Sequence, residues 1–171
     1  MAKISAGILL YRRRGDGVAV MLAHPGGPFW AKKDKDAWSI PKGLAVEGEN
    51  RLAAAKREFL EETGAAIDGE FVELGAFKAS GKTIVAFACE GDFDPAALKS
   101  NTFAMEWPLR SGRKAEFPEA DRAAWFSLDE AMEKATKGQK PIIAALAERL
   151  GEKIGVPSPS PTQTRGSRRD G

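Results

Sequence analysis

The chain has 171 residues, 43% hydrophobic and 29% charged, with a formal net charge of +2. That length and balance suit one domain of ordinary size with a real core, and exclude collagen, coiled coil and a wholly disordered chain. No apolar run approaches the roughly 20 residues a bilayer span needs, and the lone Cys89 excludes a disulfide scaffold.

The segment Met1–Arg14 places its arginines after a short apolar stretch, the reverse of a signal peptide, and reads as a strand. With one cysteine and no export signal, the expected compartment is a reducing cytoplasm. Ser5 to Tyr11 and Val18 to Ala23 are apolar runs split by Arg14-Gly15-Asp16-Gly17, which predicts a hairpin. A Gly/Pro-rich loop with aromatics and lysines follows. Asn50 to Thr63 reads as a helix, capped by Asn50 and ended by Gly64 in the left-handed conformation. Phe71 to Ala79, Thr83 to Cys89, Thr102 to Trp107 and Ala123 to Ser127 read as strands. Helices are expected from Leu128 to about Ala135 and from near Pro141 to Leu150. Strands interrupted by helices argue for a mixed α/β or α+β domain. From Gly155 the chain holds no apolar residue after Val156, so residues 155–171 are expected to be a disordered tail behind a domain over 1–154.

The helix over 50–63 carries the chemistry. At 100° per residue, Leu52, Ala55, Phe59 and Thr63 gather on one side, and Glu58, Glu61 and Glu62 within an arc of about 100° on another. Like charges at these spacings repel. Arg57 is adjacent in sequence but lies off the stripe. A divalent metal is the natural neutraliser, since Mg²⁺ takes oxygen ligands and bridges carboxylates to substrate phosphates. An acidic solvated helix face would be the default for a lone pair of glutamates, but the spacing here is more specific.

Gly43, Glu49, Arg57, Glu58, Phe59, Glu61, Glu62, Gly64 and Ala65 stand at the spacing of the Nudix box, and the match is complete at its polar positions. Ala65 is smaller than the aliphatic residue the pattern favours. The lead-in Trp38-Ser39-Ile40-Pro41-Lys42 and the close Trp125-Phe126-Ser127-Leu128, with Glu119 six residues ahead of it, also resemble that family over most of residues 3–150. Residues 25–37 and 92–118 are less typical of it.

The resemblance implies an α+β fold, an α/β/α sandwich with a mixed β-sheet and a loop–helix–loop box. It implies that Glu58, Glu61 and Glu62, with the carbonyl of Gly43, hold one or more Mg²⁺ or Mn²⁺ ions, and that Arg57 pairs with Glu49 to fix the loop against the helix. The implied reaction is attack of water on a pyrophosphate phosphorus. The proton acceptor is expected to be Glu61 or Glu58, with Glu119 as the loop alternative and Glu116 close by in sequence.

For substrate, Lys42 precedes the box, and Lys33 lies in a loop with Lys32, Lys35, Phe29, Trp30 and Trp38. Lysines can meet phosphates while aromatics stack on a base; equally, the Trp residues can pack on the core. Arg113, with Arg110 and Lys114, is either a phosphate clamp or a solvated turn. His24 is read as structural and Cys89 as a core residue. The expected substrate is a nucleotide, with dinucleoside polyphosphates first. The alternatives are a MutT-like house-cleaning triphosphate pyrophosphatase and a domain that binds nucleotide or RNA without cleaving it. Arg165, Arg168 and Arg169 against Asp170 account for the whole net charge. A nucleic-acid partner is not expected, and the basic tail rather than the domain is where one would bind. No membrane partner is expected, and oligomeric state is left open.

Overall fold

The computed structural model describes residues 3–15 and 17–154. The expected tail over 155–171 lies outside the described residues.

Strand β1 (Lys3–Arg14) is the spine. Its residues Ser5 to Leu10 are buried without a break, the pattern of a strand covered on both faces. Side chains alternate across it, so Ile8 and Leu10 enter one core and Leu9 the other. One edge of β1 bonds in parallel to β5 (Lys82–Glu90) along nine residue pairs from Lys3 to Tyr11. The other edge is shared. β2 (Gly17–Pro25) pairs with it only from Tyr11 to Arg14. β3 (Lys42–Leu44) pairs with Ser5 to Gly7. The hairpin thus splays open, and the chain from Trp38 to Leu44 fills the wedge, held by Ile8 N donating to Pro41 O at 3.2 Å and by Ala23 and Ser39 bonding each other.

β4 (Phe71–Ala79) pairs antiparallel with β5, and β8 (Ala120–Ser127) with β2, giving the order β4-β5-β1-β2-β8 with β3 beside β1. Helix α1 (Arg51–Thr63) covers one face with Ala54, Ala55 and Phe59 against Ile8, Leu10, Met21 and Phe87. Helices α2 (Leu128–Lys134) and α3 (Lys140–Leu150) cover the other, where Ile142, Ile143 and Leu146 meet Leu9, Leu22, Trp38 and Ile40. This is an α+β fold with a mixed sheet between helical layers.

Two elements differ from the sequence expectation. β3 is a three-residue strand with no alternation of its own, formed because the wedge offers it an edge of β1. The second is β7 (Lys114–Pro118), which has no counterpart in that expectation and pairs with the expected strand β6 (Thr102–Glu106) as a separate two-stranded sheet. No helix among the described residues is long and apolar enough to cross a membrane.

Candidate active site

Helix α1 is fixed at both ends. Asn50 Oδ1 accepts from Ala53 N at 3.0 Å, satisfying one of the unpaired donors of the first turn. At the other end Gly64, at φ +82°, returns its N–H to Leu60 O at 2.8 Å. The loop ahead of β6 caps two more of the last carbonyls, with Lys99 N on Thr63 O at 2.9 Å and Asn101 N on Glu61 O at 2.8 Å. Residues 92–101 therefore hold the end of the box helix.

The carboxylates of that helix converge on its exposed side, and Arg57 lies among them. Its Nε donates to Glu49 Oε2 at 2.9 Å and its Nη2 to Glu49 Oε1 at 3.1 Å, a two-pronged pair. Nη2 also reaches Leu44 O at 3.0 Å, and Nη1 bonds Glu58 at 2.8 Å and Glu61 at 3.2 Å. The sequence expectation that Arg57 lies off the stripe is thus corrected. The Cα direction is off it, but the long side chain folds back across it. The guanidinium hydrogen bonds, joined by one from Val46 N, hold Glu49 down at about 2. Glu58 is pushed up, chiefly by burial and further by Glu61, with Arg57 opposing.

Glu62 faces the wedge instead. Lys42 N donates to its Oε2 at 3.3 Å. Burial raises it to about 8, opposed by the Lys42 charge and reinforced by Glu119 and Glu58. Glu119, between β7 and β8, is placed by Glu119 N donating to Asn101 O at 2.8 Å and by Gly26 N donating to Glu119 O at 3.1 Å. Its carboxyl is raised by burial and then by Glu58 and Glu61. A cavity of about 160 Å³ is lined by Glu62, Glu119, Lys42, His24 and Ser39, among others. The fold therefore gathers Glu119 with the box, whereas Glu116 sits on β7 with Thr102 Oγ1 at 3.4 Å.

Gly43 explains its own identity. A Cβ there would lie 1.9 Å from Glu58 Oε1, so only glycine lets the loop backbone and this carboxylate share the space. Among the described residues no group of three or more acidic, His or Cys side chains stands close enough together to hold a metal ion as it is. The donor set nevertheless suits a hard divalent cation. Glu58, Glu62 and Glu119 are each held in an environment that penalises their charge, and the cations beside them are already engaged, Arg57 shared by Glu49, Glu58 and Glu61 and Lys42 facing Glu62.

The substrate-binding expectations divide. Lys42 lines the cavity. Trp38 does not face it: its side chain is 4% exposed, its Nε1 donates to Asp34 at 3.0 Å, and its ring packs edge-on against His24 and Phe126. It is a core residue, not a stacking platform. The Lys33 ammonium lies over the Trp30 ring at 5.1 Å rather than in the cavity. Arg113 is exposed in the β6–β7 turn, roughly 20 Å of extended chain from Glu119.

His24 is structural, as the sequence leads one to expect. It is fully buried at the cavity wall, with Nδ1 2.9 Å from Asp121 Oδ1 and Nε2 2.6 Å from Lys33 O. A carbonyl only accepts, so Nε2 donates and the loop over 25–37 is pinned to β2. Only the later Asp121, 97 positions away, makes that role visible.

The NUDIX domain family model matches residues 1–146 of the chain. Nudix hydrolase 5 of Arabidopsis thaliana is 34% identical over 110 residues, 61% of this chain and 32% of that protein. The chain spans about a third of the length of the curated relatives it matches. An Ap4A hydrolase of C. elegans, solved as a binary complex, superposes with a TM-score of 0.58 at 18% identity, covering 88% of this chain and 98% of that one. The NUDIX domain of Shewanella oneidensis NrtR, complexed with ADP ribose, gives 0.61 at 15% identity over 88% and 89%. At such identities these two likenesses speak to the fold.

Proposed function

The chain belongs to the Nudix family, and from its site we propose that it is a divalent-metal-dependent pyrophosphohydrolase. Its substrate is a nucleoside diphosphate linked to another moiety, with dinucleoside polyphosphates as the best candidates. The observation that carries this reading is that Glu58, Glu61, Glu62 and Glu119 come close enough to act on one another's charge, with Gly43 leaving room for Glu58. The Ap4A hydrolase and the ADP-ribose-bound domain among the structural neighbours support a nucleotide with a phosphoric anhydride.

Glu58, Glu61, Glu62 and the Gly43 carbonyl would hold Mg²⁺ or Mn²⁺, which when bound would supply charge neutralisation at the phosphate oxygens and a water of lowered pKa. Arg57 orders the carboxylates from the loop side, and its fork on Glu49 fixes the box loop. Glu61 takes the proton of the attacking water. Its side chain is 36% exposed against 12% for Glu58, so water reaches it more readily. Glu119, across the cavity, is the alternative acceptor. Lys42 meets the phosphate as it enters. A cytoplasmic enzyme fits this reading, as its one cysteine is buried and free.

The test is phosphate or mononucleotide release from a panel of diadenosine polyphosphates, nucleoside triphosphates, ADP-ribose and NADH. Release should require Mg²⁺ or Mn²⁺, and Glu61→Gln should lower it by about 10³-fold or more with an unchanged circular dichroism spectrum. Full activity in EDTA would sink the proposal. A MutT-like triphosphate pyrophosphatase is the second reading, and a preference for triphosphates in the same panel selects it. A domain that binds without cleaving is disfavoured by the four intact box glutamates.

A further inference from the structure

A second cavity, of about 270 Å³, adjoins the first through Lys42, which lines both. Its walls come from three separate places: β1 with β3, the β4–β5 turn, and the turn ahead of α3. They carry Lys42, Lys82 and Lys137 together with the hydroxyls of Ser5, Ser80 and Thr136. No acidic and no aromatic side chain is among the described residues lining it. None of the three lysines is in an ion pair among the described residues. Asp36, whose carboxylate feels the Lys137 charge, is held by Lys140 at 2.9 Å. Lys3 stands in register beside Lys82 on the neighbouring strand and adds to the same field.

Lysines brought to one cavity repel one another unless an anion joins them, and a cavity lined by one sign of charge concentrates the opposite sign. Ammonium and hydroxyl groups are donors suited to phosphate oxygens. A nucleobase would want a ring to stack on, and none is present. The Gln139 side chain makes the cavity a built feature, since its buried Oε1 accepts from Ile40 N at 2.7 Å and ties the turn ahead of α3 to the wedge.

Resting on the hydrolase reading above, we propose that this cavity binds a polyphosphate chain. The substrate then carries at least one phosphate beyond the two joined by the scissile bond, and Lys82 and Lys137 select for it. Lys42 bridges the two cavities, so the chain runs from the carboxylates past Lys42 to Lys82 and Lys137.

The test is titration calorimetry of the full chain with inorganic tripolyphosphate, in the absence of metal. Lys82→Ala/Lys137→Ala should weaken binding about tenfold or more and flatten its salt dependence. Lys82→Arg/Lys137→Arg should restore most of the affinity and controls for folding, alongside circular dichroism of both variants. In kinetics, the alanine pair should raise KM for diadenosine tetraphosphate about tenfold with kcat within about twofold. Glu61→Gln should keep tripolyphosphate affinity while losing hydrolysis, which separates failure of the binding site from failure of the catalytic reading. Equal affinity in wild type and the alanine pair, or no tripolyphosphate binding by wild type, overturns the proposal.

Discussion

Arg57 shows how much one side chain sets at this site. It donates to Glu49, Glu58 and Glu61 together and ties α1 to the loop at Leu44. Lysine keeps the charge but offers no planar fork, so Arg57→Lys should lower both kcat and thermal stability, and Arg57→Ala more so. Activity and melting temperature, measured on both variants, check this. The pair with Glu49 also has a pH signature. The carboxyl is lowered from 4.5 to about 2 in the folded protein. A lowered folded value means the unfolded chain binds the proton first as pH falls. The stability from this pair is therefore present above about 4.5 and is lost as pH falls towards about 2. Glu49→Gln should make acid unfolding less steep in that window, as followed by circular dichroism. At Gly43 the argument is steric. A methyl group overlaps Glu58 Oε1 outright, so Gly43→Ala should cost about 10²-fold or more in kcat/KM while the core, untouched, keeps the protein folded.

At the scale of elements, what the sequence made legible follows from how local each signal is. Helix α1 was readable because Asn50, Gly64 and the apolar stripe all sit within it. Gly64→Ala tests that reading, because it forces a side chain into φ +82° and places a Cβ 2.8 Å from Lys99. The expected cost is about 1–3 kcal/mol in urea unfolding. By contrast β3 was illegible, since its three residues form a strand only because β1 and β2 splay. Trp38 was ambiguous for a related reason: an aromatic in a Gly/Pro-rich loop serves a core or a ligand equally well, and His24 and Phe126, which decide it, come from β2 and β8. The box carboxylates were readable from spacing alone. The lysine cavity was not, because Lys42, Lys82 and Lys137 are brought together by pairing between strands and a turn far apart in the chain.

For the molecule as a whole, the site is a burden on the metal-free fold. Glu62 is raised from 4.5 to about 8 because burial disfavours its charge. A folded-state value above the unfolded one means the native protein holds more protons between these limits. Stability from this group therefore falls as pH rises from about 4.5 to about 8, each unit of difference being worth about 1.4 kcal/mol. A divalent cation on the same carboxylates reverses the preference, since it binds the ionised native form and stabilises it by mass action. The melting temperature of EDTA-treated protein should then drop between about pH 5 and pH 8, and saturating Mg²⁺ should flatten that drop. Glu62→Gln should flatten it without metal and lose most of the Mg²⁺ stabilisation at pH 8. A melting temperature independent of pH in EDTA, or an equal Mg²⁺ shift in wild type and Glu62→Gln, would show that the buried carboxylate is stabilised by something other than the cation.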